Sequence, residues 1–209
     1  FEMVEFKFHC KMPIFVARQW VRHGTANINE YSLRYSEARD EFYYPDLEHI
    51  QFQSALNKQG RKGKVPTELK QKVLDYFKEI SMRSFSIYSE LNEAGVAREL
   101  ARAILPVNLY TEWYWKNDLH NLLHFISLRS DSHAQYEIRV YSDAMAESVK
   151  KAAPFAWEAY QDYVVEGMRF SRIEQNLFEK KLPKRVIKDM LEDFAYQITA
   201  TLHYNKPRK

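Results

Sequence analysis

The chain has 209 residues, of which 45% are hydrophobic and 15% aromatic, enough to bury a full core and too apolar for a disordered segment. Its net charge of +3 permits anionic ligands but is too small for a nucleic-acid coat, and no apolar run is long enough to span a bilayer. A single cysteine, Cys10, excludes an internal disulfide and suits a reducing, cytoplasmic setting.

The chain begins at Phe1 rather than Met, so an upstream segment is expected, and no signal-peptide pattern is visible. From Phe1 to Lys11, Val4, Phe6, Phe8 and Cys10 alternate with Glu5, Lys7 and His9, the period of a half-buried strand. Cys10 falls on the apolar face, where burial raises a thiol pKa and makes it a poor nucleophile. Pro13 to Arg22 reads as a helix, with Gly24 as its C-cap and Arg22 and His23 in the last turn. Residues 24–36 read as a loop turning extended. Residues 37–63 are irregular, and Gln59 to Lys64 reads as a mobile, solvated basic loop.

Pro66 to Glu93 carries Leu69, Val73, Tyr76, Ile80, Ile87 and Leu91 at helical spacing and stops at Gly95. A second helix is expected over Val96–Leu105, ended by Pro106. Its Arg98 and Arg102, one turn apart, either pair with Glu99 or Glu93 or clamp a phosphate. Val107 to Trp115 is a predicted strand and Asp118 to Leu128 a predicted helix with His120 and His124 on one side. The next helix carries Ala134, Ile138, Tyr141, Met145 and Val149 on one face, with Asp131 or Ser132 as the expected N-cap. Beyond Pro154 the helical patterns are shorter. Pro183 to Leu202 has apolar residues at every fourth position and reads as an amphipathic cover or a subunit contact.

No repeat, low-complexity tract or linker divides the chain, so one domain is expected over 1–209, with 166–209 as a helical C-terminal extension. Five glycines, none in GxGxxG spacing, exclude a dinucleotide-binding βαβ fold. His120 and His124 have a metal-ligand spacing, but Asn121 stands where the zinc-helix pattern needs Glu. A triad from Asp131, Ser132 and His133 is excluded because sequence neighbours do not meet as nucleophile and base.

The densest polar stretch is Arg18 to Tyr35, where three arginines, one histidine and one glutamine stand among large apolar side chains. Polar groups held among aromatics need partners. Arg22, Arg34, Arg102 and Arg129 sit on four separate segments, with histidines and aromatics between them. Such a set suits anionic ligands with flat rings, since arginine pairs phosphates and aromatic faces stack rings.

Arg22-His23-Gly24, seven residues, then Ser32-Leu33-Arg34-Tyr35 resembles the signature of flavin-dependent thymidylate synthases. The resemblance extends through Gly95–Arg102, Leu105–Thr111, Asp118–Phe125 and Leu128–Gln135, and covers Phe1 to about residue 165. It implies an α+β fold, a mixed or antiparallel sheet packed with long helices, assembled as a homotetramer with sites shared between subunits. It implies that dUMP is methylated to dTMP, with methylenetetrahydrofolate as carbon donor and FAD, recharged by NADPH, as hydride source, and no cysteine nucleophile. By position it assigns Gln19, Arg22, Glu30, Ser32, Leu33, Arg34, Arg102 and Arg129 to dUMP. It assigns Arg22, His23, Gly24, Glu30, Asp118, His120 and His124 to the flavin. Arg129 matches the arginine that polarises the uracil. Gly24 departs from the motif, which has a second arginine there. The expectation is weakened flavin binding and turnover, and the alternative is a nucleotide- and flavin-binding relative with impaired turnover.

Overall fold

The computed structural model describes residues 1–55, 60–181 and 186. The helix expected over Pro183–Leu202 and the Gln59 end of the basic loop lie outside the described residues. Two compact units are present, Phe1–Glu158 and Ala159–Lys209.

The first unit is built on three antiparallel strands. β1 (Glu5–Pro13) pairs with β3 (Tyr110–Asp118), from Glu5 opposite Asp118 to Pro13 opposite Tyr110. β2 (Asn27–Glu30) adds to the other edge of β3, giving the order β1-β3-β2. The sheet is thus antiparallel throughout, within an α+β architecture. Strand alternation sends Cys10, Met12, Trp113 and Trp115 to the buried face and His9, Glu112 and Tyr114 to the outer one. Burial raises the Cys10 thiol pKa to about 11, as expected of a structural cysteine.

The buried face is covered by α1 (Ile14–Trp20), α4 (Leu119–Arg129) and α5 (Tyr136–Ala152). Trp20 is fully buried, edge-on to Trp113 and Trp115 at 5.5 and 5.4 Å and stacked on Phe125 at 5.0 Å. Truncating so large a buried ring costs about 3–5 kcal/mol, so this aromatic knot fixes the segment after α1 relative to α4.

Several boundaries differ from the sequence expectation for identifiable reasons. α1 ends at Trp20 with Val21 as C-cap, not at Gly24, whose φ is not positive. The strand expected from Val107 begins only at Tyr110. The carbonyls of Val107 and Leu109 instead accept the N–H groups of Phe15 and Ile14, both at 2.9 Å, and so satisfy the first orphan donors of α1. The helix expected over Val96–Leu105 shrinks to α3 (Arg98–Ala101) and a 3-10 turn, Arg102–Ile104, because Gly95 and Pro106 leave too little chain to propagate an α-helix. α5 starts at Tyr136 with Gln135 as its N-cap, not with Asp131 or Ser132 as cap. The Asp131 carboxylate accepts the His133 N–H at 2.7 Å and closes a turn instead.

α2 (Thr67–Glu93) matches the expected span. It ends in a Schellman motif, with Gly95 at φ 80°, the Val96 N–H on Leu91 O and the Gly95 N–H on Asn92 O. Its apolar stripe is only partly used, since Tyr76, Ile80 and Met82 are more than half exposed. α6 (Pro154–Tyr160) runs across the boundary between the units. In the second unit, α7 (Arg172–Lys181) opens with a capping box: Ser171 Oγ accepts the Glu174 N–H at 3.3 Å and Glu174 accepts the Ser171 N–H at 2.7 Å. Among the described residues no helix is long and apolar enough to cross a membrane.

Candidate active site

Within one chain the structure brings His23 together with Arg129 and His124, and Arg34 together with Arg102, while Asp118 stands at the far end of α4 from Arg129. The first of these groups lies where the end of α1 meets α4. His23 is half-buried, edge-on to Phe125 at 4.9 Å, and its Nε2 accepts the Nε–H of Arg129 at 2.9 Å. Burial, reinforced by the Arg129 charge and by His124, lowers the His23 pKa to about 4. The imidazole is therefore neutral near pH 7, with its proton on Nδ1 and Nε2 free to accept. Arg129, in the last turn of α4, is held through Nε, and among the described residues its Nη groups have no hydrogen-bond partner.

His120 and His124 stand one turn apart on the exposed side of α4. Asp118 is the N-cap of α4 and accepts the backbone N–H of Asn121 at 2.9 Å and its side-chain amide at 2.8 Å. Burial would raise the Asp118 carboxyl, but these hydrogen bonds outweigh it and hold the group below the usual carboxylate range. Gln19, on α1, is half-buried, and its Oε1 is buried without a partner among the described residues. A ligand N–H would satisfy it. Arg22 is exposed one turn further on. Gly24 is also exposed, and a Cβ built there meets no atom within 4 Å.

The second group surrounds α3. Arg34 Nη2 donates to Glu99 at 3.2 Å, and Arg34, Glu99 and Arg102 line an open hollow of about 600 Å³. Ser32 and Leu33 precede Arg34 in a turn closed by Ser32 Oγ accepting the Arg34 N–H at 3.3 Å. Glu30, at the end of β2, accepts the Thr111 hydroxyl at 2.7 Å. Arg98 pairs with Glu37 at 2.9 Å and Tyr35 O at 3.2 Å, rather than with Glu99 or Glu93. Arg98, the first arginine of that helical pair, thus holds the Ser32–Glu37 turn, while Arg102 faces the hollow.

Sequence reasoning missed Glu99 and Thr111 as partners of Arg34 and Glu30, because both are paired across more than sixty positions without a local pattern. It also read the Gln59–Lys64 loop as solvated surface. Arg61 instead bonds the buried carboxylate of Glu137 and donates to His49 O at 3.0 Å. A buried carboxylate requires such a partner, and the lone acidic residue beside Ile138 on the apolar face of α5 was the available signal.

The group around His23 has a pH signature. The unfolded histidine binds a proton near pH 6.5 and the folded one only near 4. In that interval the unfolded histidine holds more protons, so the His23 contribution to stability should fall as pH drops from about 6.5 to about 4 and stay constant outside it. Denaturation midpoints measured across this range should show the slope, and His23→Gln should flatten it. An equal slope in the variant would refute the assignment.

The family model described as "Thymidylate synthase complementing protein" matches residues 1–155. The chain is 51% identical over 174 residues to a flavin-dependent thymidylate synthase of Dictyostelium discoideum, covering 83% of this chain and 57% of that protein. It is 53% identical over 180 residues to a flavin-dependent thymidylate synthase of Ehrlichia ruminantium (strain Gardel), covering 86% and 61% respectively. The chain thus spans about three-fifths of the length of these two curated relatives. Among solved structures it is similar to a UMP/dUMP methylase, PolB, from Streptomyces cacaoi bound with 5-Br UMP. That match has a TM-score of 0.71 and 32% identity, over 75% of this chain and 73% of that one.

Proposed function

Because the chain belongs to the flavin-dependent thymidylate synthase family, we propose that it methylates dUMP to dTMP with methylenetetrahydrofolate as carbon donor and FAD, recharged by NADPH, as hydride source. The observation that carries this reading is the Arg129–His23 pair, a guanidinium fixed through Nε by a neutral imidazole, with its Nη edge unpartnered among the described residues.

In this reading Arg129 faces the uracil. Its fixed charge stabilises the anion that forms as N3 ionises, which raises the electron density at C5. Because His23 already holds Nε, little reorganisation accompanies that charge development. Arg34 and Arg102 bind the phosphate of dUMP, with Ser32 and Leu33 shaping the turn that presents Arg34 and Glu30 at its start. Gln19 Oε1 accepts a ligand N–H, and Arg22 serves both ligands.

The donor set fits a flavin dinucleotide: Arg22 offers charge to a phosphate, His120 and His124 offer imidazole faces, and Gln19 offers an unpaired acceptor. His23, Gly24, Glu30 and Asp118 complete that set. Bound flavin would supply the hydride. No thiol takes part, since Cys10 is buried and its pKa raised to about 11. The α1–α4 group and the α3 group complement one another across subunits of a homotetramer in the cytoplasm. No contact around Gly24 favours a relative with impaired turnover.

The test is tritium release from 5-tritiated dUMP by the full chain with FAD, NADPH and methylenetetrahydrofolate, alongside a flavin absorbance spectrum. Release that depends on all three supports the proposal. Protein that takes up no flavin and releases no tritium would overturn it.

A further inference from the structure

β2 ends on a carboxylate that is held from inside the sheet. Glu30 lies directly opposite Trp113 in the β2–β3 ladder, so its side chain leaves the sheet on the face that carries Thr111, Trp113 and Trp115. Thr111, two residues before Trp113, is its diagonal neighbour, within reach of a long side chain. The Thr111 hydroxyl donates to Glu30 Oε1 at 2.7 Å, the length of a charge-assisted bond. The two ends of this bond differ in burial: Thr111 is 7% exposed, whereas every residue of β2 is exposed.

The donor end is rigid. Thr111 stands opposite Met12 in the β1–β3 ladder, and Met12 is fully buried. A β-branched side chain in a strand has few χ1 choices, so the direction of the hydroxyl is set by the sheet. The backbone adds a second tie one step along. The Tyr31 N–H donates to Glu112 O at 2.8 Å and carries the pairing one residue past the end of β2. Glu30 is thus anchored immediately before the turn in which Ser32 Oγ accepts the Arg34 N–H.

The acceptor end is not used up. A carboxylate has two oxygens and about four acceptor positions. Among the described residues Glu30 Oε2 has no hydrogen-bond partner, and Glu30 forms no ion pair. An untied glutamate would lose rotamer freedom when a ligand ordered it, and the bond to Thr111 removes much of that loss beforehand. Glu30, Ser32 and Arg34 are alternate residues of one segment, and Arg34 faces the hollow assigned to the phosphate, so the nucleotide is the ligand that reads this bond.

From this arrangement we propose that Thr111 is a positioning residue for dUMP: its hydroxyl holds the Glu30 carboxylate so that Oε2 accepts an N–H or O–H of the nucleotide. The proposal rests on the thymidylate synthase reading, which sets Glu30 against dUMP, and adds a buried residue that touches no ligand itself.

The test is dUMP titrated calorimetrically into the full chain and its variants, with steady-state kinetics alongside. Thr111→Val removes the hydroxyl and keeps the branched shape. It should weaken dUMP roughly three- to tenfold and raise KM by a similar factor, with a smaller fall in kcat. Thr111→Ser keeps the donor and should restore most of the affinity. In a Glu30→Ala background, where Arg34 and Arg102 still hold the phosphate, Thr111→Val should cost nothing further, because its effect runs through Glu30. Thermal melts check that each variant folds, and Thr111→Ala supplies the same deletion of the hydroxyl without added bulk. Hydroxyl-free variants that bind dUMP as the parent does, a serine variant that restores nothing, or independent effects of the Thr111 and Glu30 substitutions would overturn the proposal. A parent chain that binds dUMP in a Thr111-dependent way but releases no tritium would refute only the thymidylate synthase reading. A parent chain that binds no dUMP would overturn both.

Discussion

Arg129→Lys is expected to lower kcat by roughly 100- to 1,000-fold while dUMP binding changes by only a few-fold. The magnitude is that of removing one preorganised donor from a developing anion. A lysine has the charge but lacks the planar fork, so it cannot donate to His23 Nε2 and point two further N–H groups at a ring oxygen and nitrogen together. The loss should appear in the chemical step, read as tritium release in a single turnover, and dUMP affinity should report the phosphate contacts instead. A variant that turns over normally would remove Arg129 from the chemistry.

Gly24→Arg is expected to tighten FAD by roughly ten- to a hundredfold, corresponding to a charge-assisted contact of about 1.5–3 kcal/mol. The backbone accepts the change: φ at Gly24 is not positive, the position is exposed, and a Cβ meets nothing within 4 Å. Turnover at limiting FAD should rise with affinity, and stability should stay nearly constant because no core contact is altered. Quenching of flavin fluorescence on titration reads the affinity directly. Equal dissociation constants in the two forms would show that the motif arginine has no partner to meet here.

The elements legible from the sequence were those with an unambiguous period or stop signal. β1 alternates cleanly, α2 has helical spacing and a glycine at its end, and α4 begins at an aspartate that caps it. The boundaries that moved were set by distant partners. The start of β3 is decided by the needs of α1, since the carbonyls of Val107 and Leu109 cap it. Nothing within Val107–Trp115 carries that information. The candidate site divides in the same way. Residue types and order in Arg18–Tyr35 marked it, whereas the pairing of Arg129 with His23, across 106 positions, depends on the Trp20–Phe125 stack that brings the two segments together. Likewise Arg61 looked solvated because its acid partner, Glu137, lies 76 residues further on.

The rigid course of α4 limits how the chain can change its length. Asp118 caps one end and Arg129 closes the other, about 16 Å apart at 1.5 Å per residue. Inserting or deleting a single residue between them would swing the guanidinium through about 100° and carry it off the imidazole, whatever the inserted side chain. α4 is therefore confined to point substitution.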